Sequence, residues 1–409
     1  MSHRGRRMFK LRSSFTWLVV SASMLALAGC GGGNGSSSTG TTAPAPTPPT
    51  MPPPATPSAF TVTALDSNIP GTGQQDPNLS HGWGISFAPG SEVWVADHAS
   101  NKSTLYDGNG NIDSAVVVNI PANKAGGASG PTGTVSNSTG NFVVSKNGAS
   151  APATFLFDGT GGTISGWAQS VDSGNAVTVF DGSDEGDVFT GLAIFTQGST
   201  NMLLAANAGT GNVDVFDGSF KKISLTGGFK DPNIPSGYKP FGIQTIGNQI
   251  FVSYAHFTPG NPIEDHGAGL GFVDIFDATG TLVKRLVDTG GALNAPWGMA
   301  QAPAGFGQFS NDLLIGDFGD GKINVYDPTS GAMIGTLSDG TGAPLVIPGL
   351  WGMAFGNGAF NQPTTTLFYA AGPSVTQGVY GRVDLGSGPG GAAPAPAPAP
   401  QPSNPTPGY

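Results

Sequence analysis

The central part of the chain consists of short segments in which apolar and polar positions alternate. Between residues 296 and 337 four such segments follow one another, WGMAQA, DLLIGDF, KINVYDP and AMIGTL, and Gly, Asp, Asn and Pro residues separate them. A period of two with turn residues at the borders predicts β-strands, whereas an amphipathic helix would place apolar residues every three or four positions. This stretch therefore predicts four antiparallel strands joined by tight turns.

The same pattern occurs six times between residues 59 and 385. Each copy opens with a glycine beside a small-apolar stretch, and these glycines are Gly84, Gly133, Gly191, Gly242, Gly298 and Gly352. Three further strands follow, which in copy two are NFVVSKN, TFLFDGTGG and ISGWA. Four antiparallel strands that recur every ~40–50 residues are typical of a propeller blade. We therefore predict an all-β fold, a six-bladed β-propeller of four-stranded antiparallel blades.

Copy six ends in VYGRVDLG without a clear fourth strand. We expect the N-terminal strand at residues 60–65 to supply it by pairing across the seam, because closing the ring removes an exposed sheet edge. The opening glycine of each copy is expected on the innermost strand. There the blades converge, and a Cβ atom would crowd the neighbouring blade.

The segment VADHASNKSTLYDGNGN, residues 95–111, resembles an NHL repeat, and copies three, four and five match that pattern well. NHL-type blades commonly serve as interaction platforms. The whole chain, with the N-terminal signal described next, is similar to an uncharacterised family of exported bacterial propeller-like lipoproteins. This resemblance covers nearly all of residues 59–385 and implies no particular activity.

The first thirty residues have the pattern of an export signal. Five basic residues precede an apolar run at residues 15–27, which is shorter than the ~20 residues of a transmembrane helix. The run ends in Leu-Ala-Gly-Cys30, which resembles the bacterial lipoprotein signal box. That resemblance implies removal of residues 1–29 and lipidation of Cys30 with acyl chains such as palmitate. The alternative is ordinary cleavage after a small residue, with Cys30 incidental.

These signals divide the chain into four parts. Residues 1–29 are the signal peptide, residues 30–58 a Gly/Ser/Thr/Pro-rich tether, residues 59–385 the propeller, and residues 386–409 a Pro/Ala-rich tail. The tether and the tail lack the apolar residues of a core, and we expect both to be disordered. We expect the protein in the bacterial cell envelope, anchored by lipid on the extracytoplasmic side.

The amino-acid composition limits the kinds of partner that the protein is expected to bind. The chain is 38% hydrophobic with 24 Phe, so a large core is available despite its 66 Gly and 34 Pro. Removing residues 1–29 leaves 11 basic against 26 acidic residues. An acidic protein is a poor partner for nucleic acid or for anionic lipid headgroups, so we expect membrane contact only through the lipid anchor. We expect a monomer.

In a blade of alternating strands, the loop between the second and third strands lies on the same rim as the loop between blades. We call this the first rim, and the opposite edge the second rim. Loops on one rim of a rigid scaffold often carry binding sites. The candidate ligand-binding residues of the first rim are Trp83, Asp97, His98, Asn207, His256, His266, Trp297, Asp317 and Trp351.

Each group of candidates allows two interpretations. Asp97, Asn207 and Asp317 share one repeat position and either brace the following turn or converge on the axis, where a divalent cation such as Ca²⁺ would suit them. No other cofactor is predicted. The aromatic residues at the starts of the inner strands, Trp83, Phe241, Trp297 and Trp351, either pack between blades or form a stacking surface for a sugar or another ring-bearing ligand.

The insert from residue 255 to 271 carries His256 and His266 with Glu264 and Asp265. Such clusters can bind a metal or act in acid–base chemistry, but a ten-residue spacing in a Gly/Pro-rich loop matches no metal motif. The sequence contains no Gly-x-Ser-x-Gly and no phosphate-binding glycine loop before a helix, so no catalytic residue is assigned.

Three functions remain open. We favour a non-catalytic binding module for a glycan, a peptide or an envelope protein. The alternative is a divalent-metal-dependent hydrolase or lactonase of the six-bladed type, although a fold alone does not transfer an activity. A third, weaker hypothesis is an oxidoreductase with a quinone-type cofactor.

Overall fold

The computed structural model describes residues 58–386 of the 409-residue chain. Within this range the chain forms 27 β-strands, two 3₁₀ helices (Ser183–Glu185 and Gly307–Phe309) and no α-helix. The described residues include no helix that is long and apolar enough to cross a membrane. The predicted signal peptide, the lipidation of Cys30, nearly all of the tether and the tail from residue 387 lie outside the described residues.

Six sheets, each with four antiparallel strands, form six blades, as the sequence predicts. Blades one to three consist of β3 (Gly82–Phe87), β4 (Val93–Asp97), β5 (Lys102–Tyr106) and β6 (Val118–Asn119); β7 (Pro131–Ser136), β10 (Phe155–Gly159), β11 (Thr163–Trp167) and β12 (Val177–Asp181); and β13 (Phe189–Gln197), β14 (Thr200–Asn207), β15 (Asn212–Asp217) and β16 (Lys222–Ile223).

The other three blades continue in the same order from the inner to the outer strand. They consist of β17 (Tyr238–Ile246), β18 (Gln249–His256), β19 (Gly271–Phe276) and β20 (Leu282–Val287); β21 (Pro296–Gln301), β22 (Leu313–Asp317), β23 (Ile323–Tyr326) and β24 (Met333–Thr336); and β25 (Leu350–Phe355), β26 (Leu367–Ser374), β27 (Gln377–Leu385) and β1 (Phe60–Ser67), with β2 (Gln74–Gln75) beside β1.

The innermost strands form a closed ring. The first strand of each blade contacts the first strand of the next, and β25 contacts β3. A Cβ atom at each opening glycine would come close to the inner strand of the following blade. The pairs are Gly84 with Thr132, Gly133 with Leu192, Gly191 with Phe241, Gly242 with Trp297, Gly298 with Trp351 and Gly352 with Trp83. The close approach of the blades therefore explains the repeated glycine.

The N-terminal strand closes the ring, which confirms the predicted seam. β1 pairs antiparallel with β27, with Phe60 opposite Leu385 and Val62 opposite Val383. Phe60 is 2% exposed and packs against Phe306 and Phe309 of blade five, with ring centroids 4.9 and 6.0 Å away. The outer edge of blade six is therefore built from the beginning of the folded region.

Copy two differs from the predicted strand assignment. The segment Val143–Lys146, predicted as its second strand, pairs with Ala149–Pro152 in a separate hairpin, β8 and β9. The blade continues instead with Phe155–Gly159 as its second strand, and its fourth strand is Val177–Asp181. The hairpin is an insertion in the connection between the first two strands, so it lies on the second rim.

The core is distributed between the blades. Six apolar clusters each join two adjacent blades, and a seventh lies at the axis. Trp94 of blade one, for example, stacks on Phe155 of blade two with ring centroids 4.1 Å apart. Burial between neighbours holds the ring together and fixes the loops on each rim relative to one another.

Candidate functional site

Aromatic side chains at the starts of the inner strands meet on the propeller axis. Trp83 of blade one stacks on Trp351 of blade six at a centroid distance of 3.6 Å, and Trp297 of blade five stands nearly perpendicular to Trp83 at 6.2 Å. Blades one and five are not neighbours. The contact between Trp83 and Trp297 therefore crosses the central channel.

Two phenylalanines and a hydrogen bond complete this arrangement. Phe318 stacks on Trp351 at 3.9 Å, and Phe241 of blade four lies 5.6 Å from Trp351. The indole Nε1 of Trp297 donates to the backbone oxygen of Thr190 in blade three, 2.6 Å away. We call Trp83, Phe241, Trp297, Phe318 and Trp351 the axial aromatic cluster. It closes the channel at the first rim.

The axial aromatic cluster fits neither of the two sequence interpretations completely. Its rings pack both between neighbouring blades, as Trp83 does on Trp351, and across the axis, as Trp83 does against Trp297. Trp83, Phe241 and Trp351 are buried, whereas Trp297 and Phe318 are half-buried. The indole nitrogens of Trp83 and Trp351 have no hydrogen-bond partner among the described residues. A stacking surface is therefore restricted to the half-buried rings.

Two imidazoles stand beside the cluster. His98 stacks on Trp83 at 5.2 Å and shares a hydrogen bond with Thr160, and His81 lies 5.2 Å from His98. Burial lowers the pKa of His98 to about 4. Burial, and then the neighbouring His98, lowers the pKa of His81 to about 4. Both rings are therefore neutral at pH 7.

His81 belongs to the site although the sequence analysis did not select it. It precedes Trp83 by two residues, in the segment His-Gly-Trp-Gly. Only copy one carries a histidine at this position, two residues before the aromatic. A departure from the repeat at the beginning of an inner strand was thus the signal that could have identified it.

The two histidines of the insert, His256 and His266, have different partners. The exposed His266 has its ring 5.2 Å from that of Phe318 and therefore borders the axial aromatic cluster. His256 instead places Nδ1 2.6 Å from a carboxylate oxygen of Asp265, which also accepts from Thr258. This hydrogen bond to His256 lowers the pKa of Asp265.

The three residues of the shared repeat position, Asp97, Asn207 and Asp317, are buried, and each bonds within its own blade. Asp97 accepts from the Thr104 hydroxyl, and Asp317 accepts from the Asn324 amide. Burial raises the pKa of both carboxyl groups well above the usual value. No hydrogen bond joins Asp97, Asn207 and Asp317 to one another.

Asn207 has a bracing role. Its Oδ1 accepts from the backbone nitrogens of Val188 and Thr210, and its Nδ2 donates to Asp187 and Asp214. It therefore supports the following turn. Within residues 58–386 no group of three or more His, Cys, Asp or Glu side chains is placed to hold a metal ion. Asp97, Asn207 and Asp317 are accordingly not placed together in one such group.

The axial channel opens at the second rim. A cavity of about 360 Å³ lies where the inner strands end, and its lining residues are Ile85, Ser86, Phe87, Thr134, Val135, Ser136, Ala193, Ile194, Gln244, Thr245 and Ala354. A narrow chamber between this cavity and the axial aromatic cluster is lined by Trp297 and four of the opening glycines. The channel is therefore open at one end and closed at the other.

Sequence comparison identifies relatives over most of the chain. Protein R648 of Acanthamoeba polyphaga mimivirus, which is uncharacterised, is 33% identical over 296 residues, or 70% of this chain and 71% of R648. The uncharacterised protein L690 of the same virus is 31% identical over 317 residues, or 75% of this chain and 80% of L690. The chain belongs to the family of these mimivirus proteins.

No protein-family model matches the chain. Since the relatives are viral, they lend no support to the resemblance to exported bacterial lipoproteins. Similar solved structures include a streptogramin B lyase, 13% identical, with 80% of this chain and 98% of that chain covered and a TM-score of 0.47. A glucose dehydrogenase is 14% identical, with 80% and 100% covered and a TM-score of 0.47.

Proposed function

We propose that the protein is a monomeric, non-catalytic binding module whose first rim stacks a ring-bearing ligand, such as a sugar of a glycan, on the axial aromatic cluster. One observation carries this proposal. Aromatic side chains from four different blades meet at the axis and leave Trp297 and Phe318 half-buried at the rim. Aromatic faces of this kind contribute apolar contact with a defined orientation.

The surrounding groups favour binding of an uncharged ligand. His81 and His98 are neutral at pH 7 because their pKa values are about 4. The imidazole Nε2 of His81 is buried without a hydrogen-bond partner in the described part of the chain. Neutral imidazoles hydrogen-bond to hydroxyl and amide groups without adding charge.

The metal-dependent hydrolase has less support. Such an enzyme would need several rim side chains to share one ion. Asp97 and Asp317 each bond through one carboxyl oxygen to a partner in their own blade, and Asn207 bonds Asp214 in its own blade. We therefore prefer the binding module.

We further propose that a lipid at Cys30 anchors the module on the extracytoplasmic side of a cell envelope. The pattern Leu-Ala-Gly-Cys30 behind an apolar run supports this proposal. Replacing Cys30 by Ser is expected to move the protein from the membrane fraction to the soluble fraction. Unchanged partitioning of Cys30→Ser would contradict the anchor.

Tryptophan fluorescence tests the binding function, because Trp297 and Trp351 lie in the proposed site. We expect saturable changes in emission when the full chain is titrated with neutral cello-, chito- or manno-oligosaccharides. Phe318→Ala is expected to weaken binding about 2- to 10-fold, the usual contribution of one aromatic contact. Phe360→Ala is the matched control, because Phe360 is 46% exposed and lies in a loop of the second rim. Absence of saturable binding, or equal weakening by both variants, would contradict the proposal.

A further inference from the structure

The cavity at the second rim has a polar lining whose hydrogen-bonding capacity is unused. Five polar side chains from three blades line it, namely Ser86, Thr134, Ser136, Gln244 and Thr245. Residues 58–386 provide no hydrogen-bond partner for the buried hydroxyl oxygens of Thr134 and Thr245. Buried polar groups usually have partners, since an unmade hydrogen bond costs free energy. Both threonines line the cavity, but less than 1 Å² of each hydroxyl oxygen is exposed, so a rotation about χ1 must turn the hydroxyl toward the cavity before it can bond an external partner.

The lining also lacks ionisable groups. None of its 11 residues is Asp, Glu, His, Lys, Arg, Cys or Tyr, although the chain carries 26 acidic residues. A charged ligand would lose hydration in this cavity and find no opposite charge. The cavity therefore favours a neutral ligand, and its lining contains no ionisable side chain that could act as an acid or a base.

The remaining lining is apolar and is distributed around the same opening. Ile85 and Phe87 come from blade one, and Ile194 comes from blade three. Molecules with both an apolar face and several hydroxyl groups match such a mixture of contacts. The volume of about 360 Å³ lies near the lower end of the range for small-molecule sites.

We propose that this cavity is a second binding site, which takes an uncharged polyhydroxylated molecule of monosaccharide size. Thr134 and Thr245 provide the central hydrogen bonds once their hydroxyls turn toward the ligand, while Ile85, Phe87 and Ile194 contact the apolar face. The site is independent of the first rim, because the axial aromatic cluster separates the two. The ligand is either a free sugar or the terminal sugar of a neutral glycan.

Calorimetric titration of the full chain tests this site. The probes are glucose, N-acetylglucosamine and myo-inositol, with glucuronate and glucosamine as charged analogues. We expect saturable binding of at least one neutral probe and at least ten-fold weaker binding of its charged analogue. Binding of cellotriose as tight as that of glucose would identify a glycan end, whereas binding of the monosaccharide alone would identify a free sugar.

Substitutions connect the binding to the cavity. Thr134→Val and Thr245→Val preserve shape and remove a hydroxyl that has no partner in the described chain. We therefore expect both variants to fold with an unchanged or higher melting temperature and to bind the neutral probe about five-fold more weakly each. Thr196→Val is the control, since Thr196 is exposed near the end of an inner strand and does not line the cavity.

Three results would overturn the second site. They are the absence of saturable binding by every neutral probe, equal affinity for glucose and glucuronate, and unchanged affinity in the folded double variant Thr134→Val/Thr245→Val. Phe318→Ala separates this proposal from the first-rim proposal. If the second site is real, Phe318→Ala leaves monosaccharide binding intact, whatever it does to oligosaccharide binding at the first rim.

Discussion

Asp66 provides the sharpest test of how the ring is closed. It lies on β1, the strand that completes blade six, and its side chain is fully buried. Neither carboxyl oxygen has a hydrogen-bond partner within residues 58–386. Burial, followed by the nearby carboxylates of Asp76 and Asp107, raises the pKa of Asp66 from 3.8 to about 8. The folded protein therefore keeps Asp66 protonated at pH 7.

The sign and size of the effect follow from proton linkage. In the unfolded chain Asp66 ionises at its ordinary pKa of 3.8, so between pH 3.8 and about 8 the folded state binds the extra proton. Each pH unit in that interval lowers the free energy of unfolding by about 1.4 kcal/mol. Relative to strongly acidic solution, Asp66 thus costs roughly 4 kcal/mol at pH 7. The contribution is fully favourable below pH 3.8 and is lost as the pH rises to about 8.

Asp66→Asn removes this titration while it preserves the size of the side chain. We expect the stability of the variant relative to the wild type to increase by about 3 kcal/mol between pH 5 and pH 7. Urea unfolding of both proteins at pH 5, 6 and 7 measures this difference. Other buried carboxyls, such as Asp158 with a pKa of about 7, contribute equally to both proteins and cancel.

The matched control is Glu185→Gln, because Glu185 is exposed on a loop of the first rim. Its stability relative to the wild type should not change with pH as that of Asp66→Asn does. If the wild type and Asp66→Asn showed parallel pH dependence, Asp66 would not hold a proton in the folded ring. The raised pKa of Asp66 in the closing strand would then be wrong.

Three further predictions concern the stability of the ring and binding at the first rim. Gly298→Ala should lower the free energy of unfolding by about 1–3 kcal/mol, because its Cβ would overlap a carbonyl of the next inner strand, whereas Gly140→Ala in open space should not. Phe60→Ala should cost about 3–5 kcal/mol in the same urea assay, because it empties a buried contact between blades. First-rim affinity, measured by fluorescence, should be constant from pH 7 to pH 5 and change near pH 4, where His81 and His98 become protonated.

The ring was predictable because its main constraint is local and repeated. Six inner strands must approach closely, and that approach places a glycine at the same position in every copy. The closing strand was also predictable, since copy six was one strand short and residues 60–65 had a matching alternation. These features depend on the period of the apolar pattern and on the number of strands, and both can be read directly from a sequence.

The strand assignment of copy two failed for a physical reason. Val143–Lys146 alternates as a blade strand does, and a hairpin outside the blade has the same period. The alternation does not say which partner a strand pairs with. The register of Phe155 with Ser136 and Trp167 depends on contacts far apart in sequence, so only the structure distinguished the inserted hairpin from the blade.

The sequence analysis did not predict the opening of the channel at the second rim, because this opening depends on side-chain size at the two ends of the inner strands. The residue before the opening glycine is aromatic in four blades, but it is Thr132 in blade two and Thr190 in blade three. These two small residues leave the space into which Trp297 extends across the axis to bond the backbone of Thr190. Six aromatics would overfill the axis, and six small residues would leave it open. This mixture of aromatic and small residues closes the channel at the first rim, while small residues such as Ala193 and Ala354 leave it open at the second rim.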